Sequence, residues 1–346
     1  MYPKSSYLVL IVACHLLMLV TLSKGAPHPA TASETASNAK KCDYTRGRWL
    51  STSAIPGYQP PYPDACIASL KCPQPLPGQK RPAAYAWLPD PPCSPQHWRK
   101  QSNQLLTMYR DSTMAFIGDS FNSAVVESLK CILAQASPYQ AETIKIGQLK
   151  YSCLRFIKFN LTVMSISSGY LVNNPAYSGS NVTYPNPRWT VVLPRTRAAV
   201  FTAGHWFFHE KQPPPLDRLR SAFALTRNHL QSTNYSGRAL ALSFSPLHVT
   251  KACSVAKAPL PASSSPAAIA NVTVSNAIPA LRAQKWVLRG SRLRLVDVTT
   301  MSRFRVDAHL RRKSEHERMD CSHWCLPGVP DSWNQILISH LLGQQD

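Results

Sequence analysis

Four short apolar runs, at 114–117, 198–203, 239–244 and 293–298, constrain this chain more than any other feature. Each is too short for a core helix and short enough to read as a buried strand. Helix-like stretches at 97–110, 122–133 and 216–231 lie among them. Short strands alternating with amphipathic helices give an α/β fold with a mainly parallel sheet flanked by helices. Upstream, residues 41–101 are rich in proline and cysteine and carry Cys42, Cys66, Cys72 and Cys93 with little period. That stretch reads as a loop-built lobe stapled by disulfides. A second aperiodic stretch, Ala/Ser/Pro-rich 256–279, reads as a surface loop. The expected organisation is a leader over 1–25, a disordered stem over 26–40, the lobe over 41–101 and the chemistry-bearing domain over 102–346, with 41–346 folding as one compact unit.

The charge needs a compartment before it means anything. Thirty-eight Lys+Arg against 17 Asp+Glu give +21, yet only 16% of residues are charged and 44% are hydrophobic. A disordered basic tail is thereby excluded. Lys4 followed by an apolar run at 7–22 reads as a signal peptide, or as an uncleaved signal anchor with the body in the lumen. Removing Lys4 and Lys24 with the leader takes +21 to +19. Four N-x-S/T sequons, at Asn160, Asn181, Asn234 and Asn271, agree with passage through the secretory pathway. So do the cysteines: ten in all, nine after Cys14 is set aside, an odd number that leaves one thiol free or in an intermolecular bond. The partner that a basic body meets there is an acidic polysaccharide rather than nucleic acid. Membrane contact is expected only through the N-terminal segment, if it stays uncleaved.

Two stretches carry reactive groups. Phe116-Ile117-Gly118-Asp119-Ser120 places Gly-Asp-Ser at the end of a buried strand and the start of a helix. Open α/β sheets present their chemistry there, and helix N-terminal amides can stabilise developing negative charge. Gly118 allows the tight turn; the plainer role for Asp119 or Ser120 is to cap the helix. Near the other end, Asp320-Cys321-Ser322-His323-Trp324-Cys325 sets a carboxylate and an imidazole three apart between two cysteines. A nucleophilic serine needs such a base, and the base needs an acidic partner to fix its tautomer. The Cys-x-His-x-Cys spacing fits no common zinc site. His205-x-x-x-His209-Glu210 has helical metal spacing, but it follows a strand and reads as packing or substrate lining, so no metal is expected.

Together these stretches resemble the plant trichome-birefringence-like proteins of the PC-esterase group, within the GDSL/SGNH hydrolase-like superfamily. The resemblance runs over about 41–342. It rests on Cys42-Asp43-Tyr44-Thr45-Arg46-Gly47-Arg48-Trp49, Trp87-Leu88-Pro89 with Cys93, and Phe116–Ser120 with Glu127-Ser128-Leu129-Lys130-Cys131. Gly204-His205-Trp206, Ser245-Pro246-Leu247-His248, Arg305-Val306-Asp307-Ala308-His309 and the long ending from Asp320 to Asn334 follow in order. It implies a Golgi O-acetyltransferase acting on cell-wall polysaccharide such as xylan, mannan, xyloglucan or pectin. The route it implies passes through an acetyl-serine: Ser120 as nucleophile, His323 as base and then acid, Asp320 as orienting carboxylate, with no bound cofactor and an acetyl donor, acetyl-CoA or a relayed one. Gly118, Asp119 and Gly204 would support the oxyanion site, and His205, Trp206 and Trp324 would line the substrate. Implied disulfides pair Cys42 with Cys93, Cys66 with Cys131, and Cys253 with Cys321 or Cys325. The chain departs from the family where Ser123, Ala124 and Val125 replace Arg-Asn-Gln and where Thr202-Ala203 replaces Asn-Thr. Two other readings stand beside the transferase: a secreted carbohydrate esterase with the same three residues, and a catalytically weakened wall protein that only binds glycan.

Overall fold

In the β-strands of the sheet centre, consecutive residues feed opposite cores, which is why the sequence shows continuous apolar runs there. The computed structural model describes residues 42–62, 66, 84–93, 97–173, 183–209, 215–310 and 320–344. The expected leader and stem, Cys72, Asn181 and Glu210 lie outside these residues. Strands β1 (Gly47–Ser51) and β2 (Tyr85–Pro89) form a small antiparallel pair. A seven-stranded sheet holds the rest: β3 (Thr113–Gly118), β4 (Tyr139–Ile146), β5 (Leu149–Phe156), β6 (Leu161–Ser167), β7 (Ala198–Thr202), β8 (Arg238–Leu242) and β9 (Leu293–Val296). Its order is β4-β5-β6-β3-β7-β8-β9, parallel from β6 to β9 and antiparallel at the β4–β5–β6 edge.

Met114 and Phe116 of β3, with Val200 and Leu240, face one core; Ala115 and Ile117, with Phe201 and Ala241, face the other. The first core takes in α1 (Trp98–Met108), α2 (Ser120–Ala134) and the C-terminal helix Val329–Leu341. The second takes in the chain around α3 (His205–His209), then α4 (Pro215–Ser232) and, further on, the helix Ala277–Leu288. Residues Lys40–Asp346 cluster as one unit.

The fold class read from the sequence holds, with three corrections. The lobe is not wholly loop: β1 and β2 pair across it, and the Trp49 indole donates to the Met301 carbonyl at 2.9 Å. Residues 256–279 are not one loop either. Ser265 caps the helix Pro266–Val272 by accepting from the Ala268 amide at 3.2 Å, and Ala277–Leu288 begins before the stretch ends. Finally, the antiparallel edge over 139–167 lay beyond the apolar-run reading, because its strands alternate polar and apolar residues.

Disulfides join Cys42 to Cys93, Cys66 to Cys131 and Cys253 to Cys321, and Cys325 is also disulfide-bonded. The first two pin the lobe, to itself and to α2. Cys153 is the free thiol among the described residues, and burial pushes it up to about 11, so it is inert at neutral pH. These bonds fit an oxidising compartment. Among the described residues no helix is long and apolar enough to cross a membrane.

Candidate active site

The site grows from the C-terminal end of β3, the central strand. Gly118 is obligatory there, because a Cβ would collide with the Thr202 carbonyl of β7. The Asp119 amide donates to that same carbonyl at 3.1 Å. The Asp119 side chain then caps α2, accepting from the Phe121 amide at 3.0 Å. Ser120 is the first residue of α2 and is exposed, so its amide belongs to the helix-end donors that have no intrahelical partner.

Across the chain, 203 residues on, His323 comes to meet it. Ser120 Oγ lies 2.7 Å from His323 Nε2, and His323 Nδ1 lies 2.8 Å from Asp320 Oδ2. The loop that holds Asp320 is wrapped around its other oxygen: Oδ1 accepts from the Ser322 amide at 3.0 Å, the Ser322 hydroxyl at 2.7 Å and the His323 amide at 2.9 Å. Burial alone would raise the Asp320 carboxyl, but the hydrogen bonds from His323 and Ser322 outweigh it and hold the group far below the usual carboxylate range. In turn the bond to Asp320, only partly offset by burial, raises His323 above its ordinary value. The carboxylate thus stays ionised and fixes Nδ1 as the donor, which leaves Nε2 to accept from Ser120. A serine from one end of the domain and an Asp/His pair from the other form one hydrogen-bonded line.

Flat rings stack beneath this line. Phe121 lies parallel to His323 at 5.2 Å and to His205 at 3.7 Å, and His205 lies parallel to Phe244 at 4.5 Å. Gly204 lets Phe244 in, since a Cβ there would strike the ring. His205 is buried, its Nδ1 is 3.7 Å from Asp119 Oδ2, and burial lowers its pKa so that it stays neutral. It therefore fills the floor of the site and does not line an open substrate surface. Trp324 is corrected for the same reason. It is 3% exposed, and its indole donates to Ser245 Oγ at 2.7 Å. Of the three expected lining residues only Trp206 is open, at 49% exposure, with Tyr170 edge-on at 5.8 Å. The roles of Phe121, Ser245 and Ser322 were missed, although Ser245 and Ser322 lie inside the quoted motifs and Phe121 follows Gly-Asp-Ser directly.

Asp307 and His309, the other Asp/His pair, are buried, and Asp307 is held by Arg305 through contacts of 2.9 and 3.1 Å. Where the family carries Arg-Asn-Gln, Ser123 is exposed and Val125 is buried, with the Val125 carbonyl accepting from Asn334 at 2.9 Å. Asn160, Asn234 and Asn271 are all exposed. The Asn160 amide is also engaged, with Asp111 at 3.0 Å and Arg155 at 2.8 Å. Of the His205/His209/Glu210 spacing, only the His205 side chain lies within the described residues.

A mainly parallel sheet with Gly-Asp-Ser ending its central strand is the GDSL/SGNH-like arrangement. Residues 99–340 match the model of PC-Esterase, the GDSL/SGNH-like acyl-esterase family found in Pmr5 and Cas1p, and the chain belongs to that family. It is similar to protein trichome birefringence-like 38 of Arabidopsis thaliana, at 28% identity over 88% of this chain and 84% of the relative. It is also similar to xyloglucan O-acetyltransferase 1 of the same plant, at 28% identity over 87% and 80%. For xyloglucan O-acetyltransferase 1 of Populus trichocarpa the figures are 26% identity over 90% and 82%.

Proposed function

We propose that this chain is an O-acetyltransferase that moves acetyl groups onto cell-wall polysaccharide hydroxyls through an acetyl-serine. The observation that carries the reading is the unbroken line from Ser120 Oγ through His323 to Asp320, with contacts of 2.7 and 2.8 Å. His323 Nε2 takes the hydroxyl proton as Ser120 Oγ attacks the acyl carbon of the donor, acetyl-CoA or a relayed acetyl carrier. The leaving group then takes that proton. A sugar hydroxyl next gives its proton to His323 and attacks the acetyl-serine, and Ser120 leaves, recovering the proton. The Ser120 amide at the α2 N-terminus is one donor for the oxyanion, with Gly118, Asp119 and Gly204 shaping the turn around it.

Trp206 supports a sugar acceptor, since an exposed indole offers a flat face to the C–H side of a pyranose. An acidic polysaccharide suits the +21 chain. Trp286, 72% exposed, shares a hollow with Arg220 and Arg282, which is the chemistry of a stacked and charge-paired uronate. The Golgi lumen is the proposed compartment. The second reading, a secreted esterase, is supported by the exposure of Ser120, which leaves water free to deacylate it.

Mass spectrometry of the purified chain with an acetyl donor and a glycan panel separates the readings. Acetyl on Ser120 that moves to glycan is the expected result; release of acetate alone means an esterase. Glycan binding with no acetylation of Ser120 means the catalytically weakened binder.

A further inference from the structure

Behind the catalytic loop two buried imidazoles sit in a chain whose protons can be counted. His248 Nε2 is 3.0 Å from the Arg303 carbonyl, His248 Nδ1 is 2.6 Å from His309 Nε2, and His309 Nδ1 is 3.0 Å from the carbonyl of His323. The two ends are carbonyl oxygens, which only accept, so the outer nitrogen of each ring carries a hydrogen. The central contact then sets two ring nitrogens at hydrogen-bond distance, and it needs a third hydrogen to be attractive. Two neutral imidazoles have two hydrogens between them.

We infer that His248 and His309 hold three protons and form one buried, singly charged imidazole–imidazolium pair that positions His323. They are positioning residues: neither touches Ser120, and both act on the backbone that carries the base. The His248 amide donates to the Cys321 carbonyl at 3.1 Å, and the Leu310 amide donates to the His323 carbonyl at 3.0 Å. The catalytic loop is thus held between two segments, and the shared proton joins them. The Trp324 indole stacks on His309 at 4.0 Å and meets His248 edge-on at 5.8 Å, so a π face covers the charge.

The charged groups around the pair are balanced. Asp307 and Arg303 act on His248, and Asp320 and Arg305 act on His309. Burial pushes each ring toward neutrality, His248 down to about 4 and His309 well below its ordinary value, with repulsion from the neighbouring ring added at His309. Burial thus works against even the first charge, and repulsion between the rings excludes a second. With the carboxylates offset by the two arginines, the proton is retained by the short central bond and the indole face, and the pair titrates as a unit.

The proton count stands by itself; the positioning role rests on His323 being the base of the proposed reaction. Histidine-selective 15N NMR of the full chain between pH 6 and 8 tests the count. From the rings of His248 and His309, assigned by substitution among the eleven histidines, three ring N–H groups are expected, one of them a far-downfield proton coupled to both rings and lost in His248→Asn. Two N–H groups across that range overturn the inference. The role is read from the p-nitrophenolate burst with p-nitrophenyl acetate. In His248→Asn an amide stands where Nδ1 was and can donate to His309, leaving the clamp in place without its charge. The burst's pH midpoint should then rise by about 0.5–1 unit, as removal of a nearby positive charge requires. His309→Phe removes the clamp and should cut the burst rate about 10- to 100-fold at unchanged KM, with circular dichroism showing a folded chain. Unmoved profiles and rates in both variants overturn the positioning role. Three protons in a wild-type chain that shows no burst would count against the proposed reaction and leave the pair standing.

Discussion

Two Asp/His pairs, their histidines 14 residues apart in this chain, are built for opposite ends. Asp320 and His323 are part-exposed and bonded to each other, with His323 turned toward Ser120. Asp307 and His309 are buried; Asp307 is committed to Arg305, and His309 bonds to a backbone carbonyl and a second histidine. Residue type is equal in the two cases. What differs is where the carboxylate's lone pairs go and whether the imidazole's far nitrogen reaches an open hydroxyl. A carboxylate spent on a guanidinium cannot set a tautomer.

The largest effect should come from Ser120→Ala, which leaves the fold alone and lowers kcat by about four to six orders of magnitude, with no acetylated protein by mass spectrometry. Next, Asp320→Asn and Asp307→Asn should separate cleanly. The first lowers kcat by about 10⁴-fold through the wrong tautomer at unchanged melting temperature. The second costs about 3–5 kcal/mol in urea unfolding, because the fully buried Arg305 loses its ion-pair partner. The contrast breaks if their effects are exchanged. Smaller is Trp206→Ala, which should raise the glycan KM about 10-fold and leave hydrolysis of a small acetyl ester untouched.

The pH profile sharpens the same contrast. His323 must be neutral to accept a proton, and Asp320 raises its pKa, so the acylation rate should climb with pH through a midpoint above the ordinary histidine value. Asp331 provides the smallest effect and an opposite kind of carboxylate. Burial, against hydrogen bonds from Tyr62, Ser128 and the Gly328 amide, lifts it to about 6. A raised folded pKa means that its stability contribution is complete below the ordinary carboxylate value and fades as pH rises through about 6. Asp331→Asn should remove that slope from unfolding curves taken between pH 4 and 7.

The sequence was most legible where one physical cause acts alone. β3, β7 and β8 are buried on both faces along most of their length, so apolar residues fill them and their positions stand out; β9, at the sheet edge, keeps Arg294 exposed between buried Leu293 and half-buried Leu295. β4 and β5 mix exposed and buried positions, and their signal was alternation together with the turn at Gly147, whose positive φ suits a two-residue hairpin. Gly-Asp-Ser and the Asp320–His323 spacing could be read because both lie in short contiguous words. The ring stack through Phe121, His205 and Phe244 could not, since it is assembled from three separate segments and each ring alone looks like core. Trp324 misled for a related reason: beside a reactive histidine an indole suggests substrate, but Ser245, 79 residues away, turns it inward.

The bond between Cys253 and Cys321 ties the residue next to Asp320 to the short helix Thr250–Val255, and Cys325 is oxidised on the other side of His323. The acid and base are therefore bracketed by covalent links that a chain in a reducing cytosol does not have. Assembly of the reactive line becomes an event in the protein's itinerary. The bonds that bracket its last members form where the compartment is oxidising.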